Sequence, residues 1–148
     1  MSSEELAGLL GKPGIAPGDS VLLYDVKGSV DALRLWWMLR MYGHEHVYVL
    51  NGGKKSWKMD GYSLDTIVPP LPYPVNYKFG QSPDLARLIE KEELTGLLHD
   101  TNYVLLDTRE PEEYRGLPYI DNGVCYPFKK GAFTYGRIPG SVHLNWSD

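Results

Sequence analysis

The residues best placed for chemistry lie in the stretch YDVKGSVDA, Tyr24–Ala32, between an apolar run and an amphipathic segment. Loops at this place in an α/β unit hold an anion or a nucleophile. Asp25 stands at its first position, where a catalytic loop would more usefully carry a cysteine. Lys27 adds positive charge, Gly28 eases a tight turn, and Ser29 precedes the segment read as a helix. A second group is Asp107 and Arg109, flanking the end of another apolar run, with Arg137 further on. The guanidinium groups of Arg109 and Arg137 suit an anion, with Asp107 beside Arg109 a further candidate at the same place, and Asp107 with Arg109 also suits a buried ion pair. The only cysteine, Cys125, lies in DNGVCYPFKKG. No strand immediately precedes it and no helix N-terminus follows, so it reads as an incidental free thiol, although Lys129 and Lys130 are near enough in sequence to lower its pKa. His44, His46, His99 and His143 have no metal-ligand spacing, and each reads as a turn or surface residue.

The elements that must position these residues follow from the pattern of apolar residues. A capped helix is expected from Ser2 or Ser3 through Leu10, with Glu4 and Glu5 at its positive end. Val21-Leu22-Leu23-Tyr24 is a continuous apolar run, as in a parallel strand buried on both faces. The loop leads into a helix over 30–42, in which Ala32, Leu35, Trp36, Leu39 and Tyr42 share one side and Gly43 is the stop. His46–Leu50 is a second strand, Asn51-Gly52-Gly53 a turn, and 54–60 a short helix with Trp57 inward. Strand, helix and strand in this order imply a parallel crossover.

The character changes over 67–83, where five prolines fall between Pro69 and Pro83. Such a stretch is extended and semi-rigid, as in a linker. Val75–Phe79 inside it alternates like an edge strand. Residues 84–98 are one helix or two short ones. Tyr103–Leu106 reads as another buried strand, and Pro111 suits the first turn of a short helix. Residues 116–136 read as a long loop, and Val142–Asn145 as a last strand.

Composition bounds the functions open to the chain. Its 148 residues suffice for a core, and 43% hydrophobic with 23% charged residues is ordinary for a globular protein. A net charge of −4, with basic pairs only at Lys54-Lys55 and Lys129-Lys130, argues against nucleic acid. No apolar run approaches the roughly 20 residues that span a bilayer, and no signal peptide is read at the N-terminus. One cysteine rules out an intrachain disulfide and disfavours a cysteine-based zinc site. The chain fits a reducing cytosol, and neither metal nor cofactor is expected.

Taken in order, these motifs resemble the rhodanese (thiosulfate sulfurtransferase) family of the two-module type. The first module's closing part is similar to Arg34-Leu35-Trp36-Trp37, Arg40, Gly43-His44, and Asn51-Gly52-Gly53 with Trp57. The second module's opening part is similar to Asp107, Arg109, Glu113-Tyr114, then Gly136, Ile138, Pro139 and Gly140. The resemblance implies an α/β fold with a parallel sheet flanked by helices. It implies sulfur transfer, in which a thiolate takes sulfane sulfur from a small anionic donor such as thiosulfate and passes it as a persulfide to cyanide or a thiol. The thiolate would rest in a ring of backbone N–H groups at a helix N-terminus. Asp25 matches the family's inactive loop, 25–30 here. A carboxylate forms no persulfide, so this chain alone is expected to be inactive, its Asp25 a loop cap that fills the ring. The family nucleophile is expected in sequence beyond Asp148, and Asp107 and Arg109 are expected to brace the loop.

Two arrangements satisfy this resemblance. In one, 1–66 is the C-terminal half of a module, 67–83 a linker and 84–148 the N-terminal half of a second. In the other, 1–148 is one circularly permuted domain with a single sheet of strands 21–24, 46–50, 75–79, 103–106 and 142–145. The expected protein partner is a second copy or a complementing half. A non-catalytic binding or regulatory module and a truncated fragment are the competing readings to a sulfurtransferase.

Overall fold

The computed structural model describes residues 1–26, 29–70, 72–126 and 135–145. They divide into two compact units, Met1–Leu88 and Ile89–Asp148.

Unit 1 opens with helix α1, Ser3–Gly11. Ser2 caps it: the Glu5 N–H donates to Ser2 Oγ at 3.2 Å, and the Ser2 N–H donates to the Glu5 carboxylate at 2.7 Å. This reciprocal pair satisfies two otherwise orphaned donors. Strand β1, Val21–Leu23, pairs in parallel with β2, Val47–Val49, in the register Val21↔Val47, Leu22↔Tyr48, Leu23↔Val49. Helix α2, Val30–Met41, joins them, and helix α3, Gly53–Met59, follows β2. The core gathers Leu6 and Leu10 of α1, Leu39 and Met41 of α2, with Tyr42, Val47 and Tyr77.

The strands are not buried on both faces as their sequence suggests. Leu22 is 73% exposed and Tyr48, its ladder partner, 54%. The reason is that, among the described residues, the side of the sheet carrying Val21, Leu23, Val47 and Val49 is the covered one, so the alternate apolar side chains of an uninterrupted run point to water.

Three further expectations are corrected here. Residues 75–79 form no strand. They run extended along the core, with Tyr77 buried and Phe79 half-buried, while Val75, Asn76 and Lys78 are exposed, so the alternation holds over Asn76–Phe79 although the ladder is absent. Trp57 is exposed; its Nε1–H donates to the Ser63 carbonyl and its ring packs on Tyr62. His44 is a core residue at 2% exposure, its Nδ1 2.7 Å from the Tyr77 hydroxyl.

Unit 2 holds α4 (Lys91–Leu97), β3 (Leu106–Asp107), α5 (Pro111–Arg115), β4 (Tyr119–Asp121), β5 (Val124–Tyr126) and β6 (Val142–His143). Residues 84–98, expected as one helix or two short ones, hold two pieces, a 3-10 turn at Leu85–Arg87 and α4. Strand β3 pairs in parallel with β6, Leu106↔Val142 and Asp107↔His143. The strand expected at Tyr103–Leu106 is thus confined to its end, and Tyr103, Val104 and Leu106 are exposed. The expected long loop 116–136 contains an antiparallel hairpin, β4–β5, turning at Asn122-Gly123. Both turn residues have positive φ, 49° and 81°, the conformation of a type I′ hairpin turn. Cys125 therefore sits on a strand opposite Ile120, exposed. Among the described residues the strands make three separate two-stranded sheets rather than one five-stranded sheet. No helix among them is long and apolar enough to cross a membrane.

Candidate functional site

In unit 1 the chain leaves β1 at Leu23 and turns at once. The Leu50 N–H donates to the Leu23 carbonyl at 2.9 Å, and the Lys54 N–H donates to the Asp25 carbonyl at 2.8 Å. These bonds tie the loop to the turn after β2. Gly53 makes the approach possible: its φ is +55°, and a Cβ there would stand 2.6 Å from the Asp25 carbonyl oxygen.

Held in this way, the Asp25 carboxylate faces the start of α2. The Ser29 N–H donates to Asp25 Oδ1 at 2.7 Å, and the N–H groups of Asp31 and Ala32 donate to Oδ2 at 2.9 and 3.1 Å. Three backbone donors thus converge on one carboxylate at the N-terminus of a 12-residue helix. Both the donors and the helix dipole favour negative charge there. Ser29 itself is buried and left-handed, with φ 76°, uncommon for a residue with a Cβ. Its hydroxyl donates to the Leu50 carbonyl at 3.3 Å, so Ser29 serves the loop's shape rather than a ligand. Lys27 and Gly28, expected as anion contacts, lie outside the described residues.

In unit 2 the Asp107–Arg109 pair is bidentate. Arg109 Nε donates to Oδ1 at 2.9 Å and Nη2 to Oδ2 at 2.6 Å. The Arg109 N–H also donates to Oδ1, at 3.1 Å, and Nη2 donates to the Gly136 carbonyl at 2.9 Å. The Asp107 side chain is only 10% exposed. Hydrogen bonds from Arg109 hold its carboxyl below the ordinary carboxylate range, against the opposing pull of burial, and Asp107 in turn raises the Arg109 guanidinium. Arg109 is therefore largely engaged in joining β3 to the segment before β6.

Arg137 differs. It is exposed, with its guanidinium carbon 4.6 Å from the centre of the Tyr114 ring. Tyr114 stacks on His143 at 4.7 Å, and its hydroxyl donates to the Ser141 carbonyl at 2.8 Å. His143 Nε2–H donates to the Arg109 carbonyl at 2.8 Å. Arg137, Tyr114 and His143 form a column with the guanidinium at one end, and Arg137 Nη1 also donates to the Tyr114 carbonyl at 3.5 Å.

Of the candidate residues read from sequence, Asp25, Ser29, Asp107, Arg109 and Arg137 lie among the described residues, Asp25 with Ser29 in unit 1 and the other three in unit 2. Sequence reasoning missed the two ring donors Asp31 and Ala32, which act through backbone and carry no side-chain signal. It also missed Tyr114 and His143 as supports of Arg137. The Lys129-Lys130 pair beyond Cys125 lies outside the described residues. Among the described residues, no group of three or more His, Cys, Asp or Glu converges as a metal ion would require.

The sequence model described as the Rhodanese-like domain matches residues 2–60 and again 90–148. The chain is 31% identical to a thiosulfate sulfurtransferase of Corynebacterium glutamicum, over all of this chain and 48% of that one. It is 32% identical to the sulfur carrier protein TtuD of Thermus thermophilus, over 99% of this chain and 51% of that one. The crystal structure of SseA, a 3-mercaptopyruvate sulfotransferase of Escherichia coli, superposes with a TM-score of 0.73 at 22% identity, over 99% of this chain and 50% of that one. That of Tum1 from Saccharomyces cerevisiae superposes with a TM-score of 0.75 at 22% identity, over 97% and 46%. The chain spans about half the length of the curated relatives it matches.

Proposed function

The chain belongs to the family of rhodanese-like domains, and from that membership we propose that it is of the sulfurtransferase type but carries no nucleophile in its ring loop. The reaction class is transfer of sulfane sulfur from thiosulfate or a similar small anion to cyanide or a thiol. One observation carries the second half of the proposal: Asp25's own carboxylate accepts the three N–H groups that would otherwise stabilise a thiolate or an anion. A carboxylate cannot take up sulfane sulfur as a persulfide, and its charge repels an incoming anion. Alone, the chain does not turn over.

This favours a non-catalytic rhodanese-like module as the reading of the chain by itself. Its halves are read as the closing part of one module, 1–66, and the opening part of another, 84–148, joined by 67–83. Arg137 is the residue we assign to contact with a small anionic sulfur donor, because Arg109 is committed to Asp107. The single cysteine suits a reducing cytosol.

A thiosulfate:cyanide assay tests this. Wild type and Cys125→Ser are both expected to form no thiocyanate above the protein-free rate. Turnover by wild type that disappears in Cys125→Ser would make Cys125 the nucleophile and overturn the proposal.

A further inference from the structure

The sequence holds two Asn–Gly pairs, Asn51-Gly52 and Asn122-Gly123. In such a pair the glycine backbone nitrogen can attack the asparagine Cγ, because no Cβ on the glycine hinders the approach. An N–Cγ bond forms, the Cγ–N bond of the side-chain amide breaks, and that nitrogen leaves as ammonia with the proton of the glycine N–H. Water then opens the cyclic imide at either carbonyl, giving aspartate or isoaspartate. Nothing is oxidised or reduced, and water is the only co-reactant.

Sequence and exposure do not separate the two pairs, since both asparagines are exposed and both lie in tight turns. The structure does separate them. The attack needs backbone freedom that a tight turn restricts, so its rate follows how readily each turn opens. The first turn is pinned. The Gly53 N–H and the Ser29 hydroxyl both donate to the Leu50 carbonyl, at 3.0 and 3.3 Å. The Ser56 N–H donates to the Gly52 carbonyl at 3.2 Å, and the Lys54 N–H to the Asp25 carbonyl at 2.8 Å. Opening this turn undoes the start of α3 and its tie to the ring loop. The second turn has no such ties. Among the described residues, no hydrogen bond joins β4, β5 or their turn to the rest of the unit. Ile120, Val124 and Tyr126 are 68%, 52% and 45% exposed. A two-stranded hairpin standing alone is marginally stable at best in water.

We propose that Asn122 is a site of spontaneous deamidation, gated by opening of the β4–β5 hairpin, and that its isoaspartate product undoes that hairpin. Isoaspartate routes the main chain through the side chain and adds a methylene to a two-residue turn. The type I′ geometry that sets the pairing of β4 with β5 has no room for it. Aspartate, by contrast, suits this turn as asparagine does. The inference rests on the hairpin and is independent of sulfur chemistry.

The test is to hold wild type at mildly alkaline pH, folded and in urea, and to follow both sites by peptide mapping with mass spectrometry. In the folded protein, conversion at Asn122 is expected to run several-fold faster than at Asn51. In urea the two rates are expected to converge. Asn51 reacting as fast as Asn122 in the folded protein, or Asn122 staying intact there while it reacts in urea, would overturn the proposal. The product is tested by the cross-strand contact of Ile120 with Cys125, read by NMR. It is expected to persist in Asn122→Asp and to be lost in the isoaspartate form. Its survival in the isoaspartate form, or its loss in Asn122→Asp, would show that the added methylene is not what undoes the hairpin.

Discussion

At the scale of residues, two carboxylates are held by different partners. Asp25 ends a ring of backbone donors, and Asp107 fixes a guanidinium. Asp25→Asn keeps the volume but turns an amide N–H₂ toward donors at Ser29, Asp31 or Ala32. Losing charge-assisted bonds of this kind costs about 1.5–3 kcal/mol. The expected result is faster amide hydrogen exchange at Asp31 and Ala32, with exchange across unit 2 unchanged. Asp107 has a lowered carboxyl pKa, so its contribution is full above the unfolded carboxylate value of about 3.9 and is lost as pH falls through the lower folded value. Protection of the Leu144 N–H, which donates to the Asp107 carbonyl, is therefore expected to fall with acidification below about pH 4. In Asp107→Asn that protection is expected to be lower at neutral pH and to lose the part of its acid dependence that Asp107 supplies. Asp25 was legible because a carboxylate between a strand and a helix has few other uses. The buried His44–Tyr77 bond was not, since it joins residues 33 apart in sequence and no local pattern announces it.

At the scale of elements, local signals located β1, α2 and β2, because a short apolar run, a helical spacing and a glycine stop all agree there. Leu39, fully buried on α2, is the firmest test of that packing. Leu39→Ala is expected to cost about 2–5 kcal/mol, read as a lower denaturation midpoint of unit 1. What the pattern did not tell was which strand faces are covered. A continuous apolar run says that both faces are compatible with burial, and the neighbours decide. The β4–β5 hairpin had a legible signal, Asp121-Asn122-Gly123, that a reading of 116–136 as loop passed over. Residues 75–79 failed for the opposite reason: period-two alternation fits any extended segment with one side on a core, whether or not a ladder forms.

At the scale of the whole molecule, one chain carries two matches to the Rhodanese-like domain, a ring loop closed by its own aspartate, and two uncovered sheet faces. The α/β class and the family followed from the order of motifs around a proline-rich stretch. How strands would pair over the full length did not follow, since pairing depends on contacts far apart in the chain. Three backbone N–H groups donate to the Asp25 carboxylate, and on the proposed reading they would hold a thiolate at the same position. The direct measurement is the intact mass of Asp25→Cys in a Cys125→Ser background after incubation with thiosulfate. The ring predicts a gain of one sulfur atom, reversed by cyanide, with no gain in Cys125→Ser alone. No gain at Asp25→Cys in a folded protein would show that these donors do not support a sulfur-accepting thiolate.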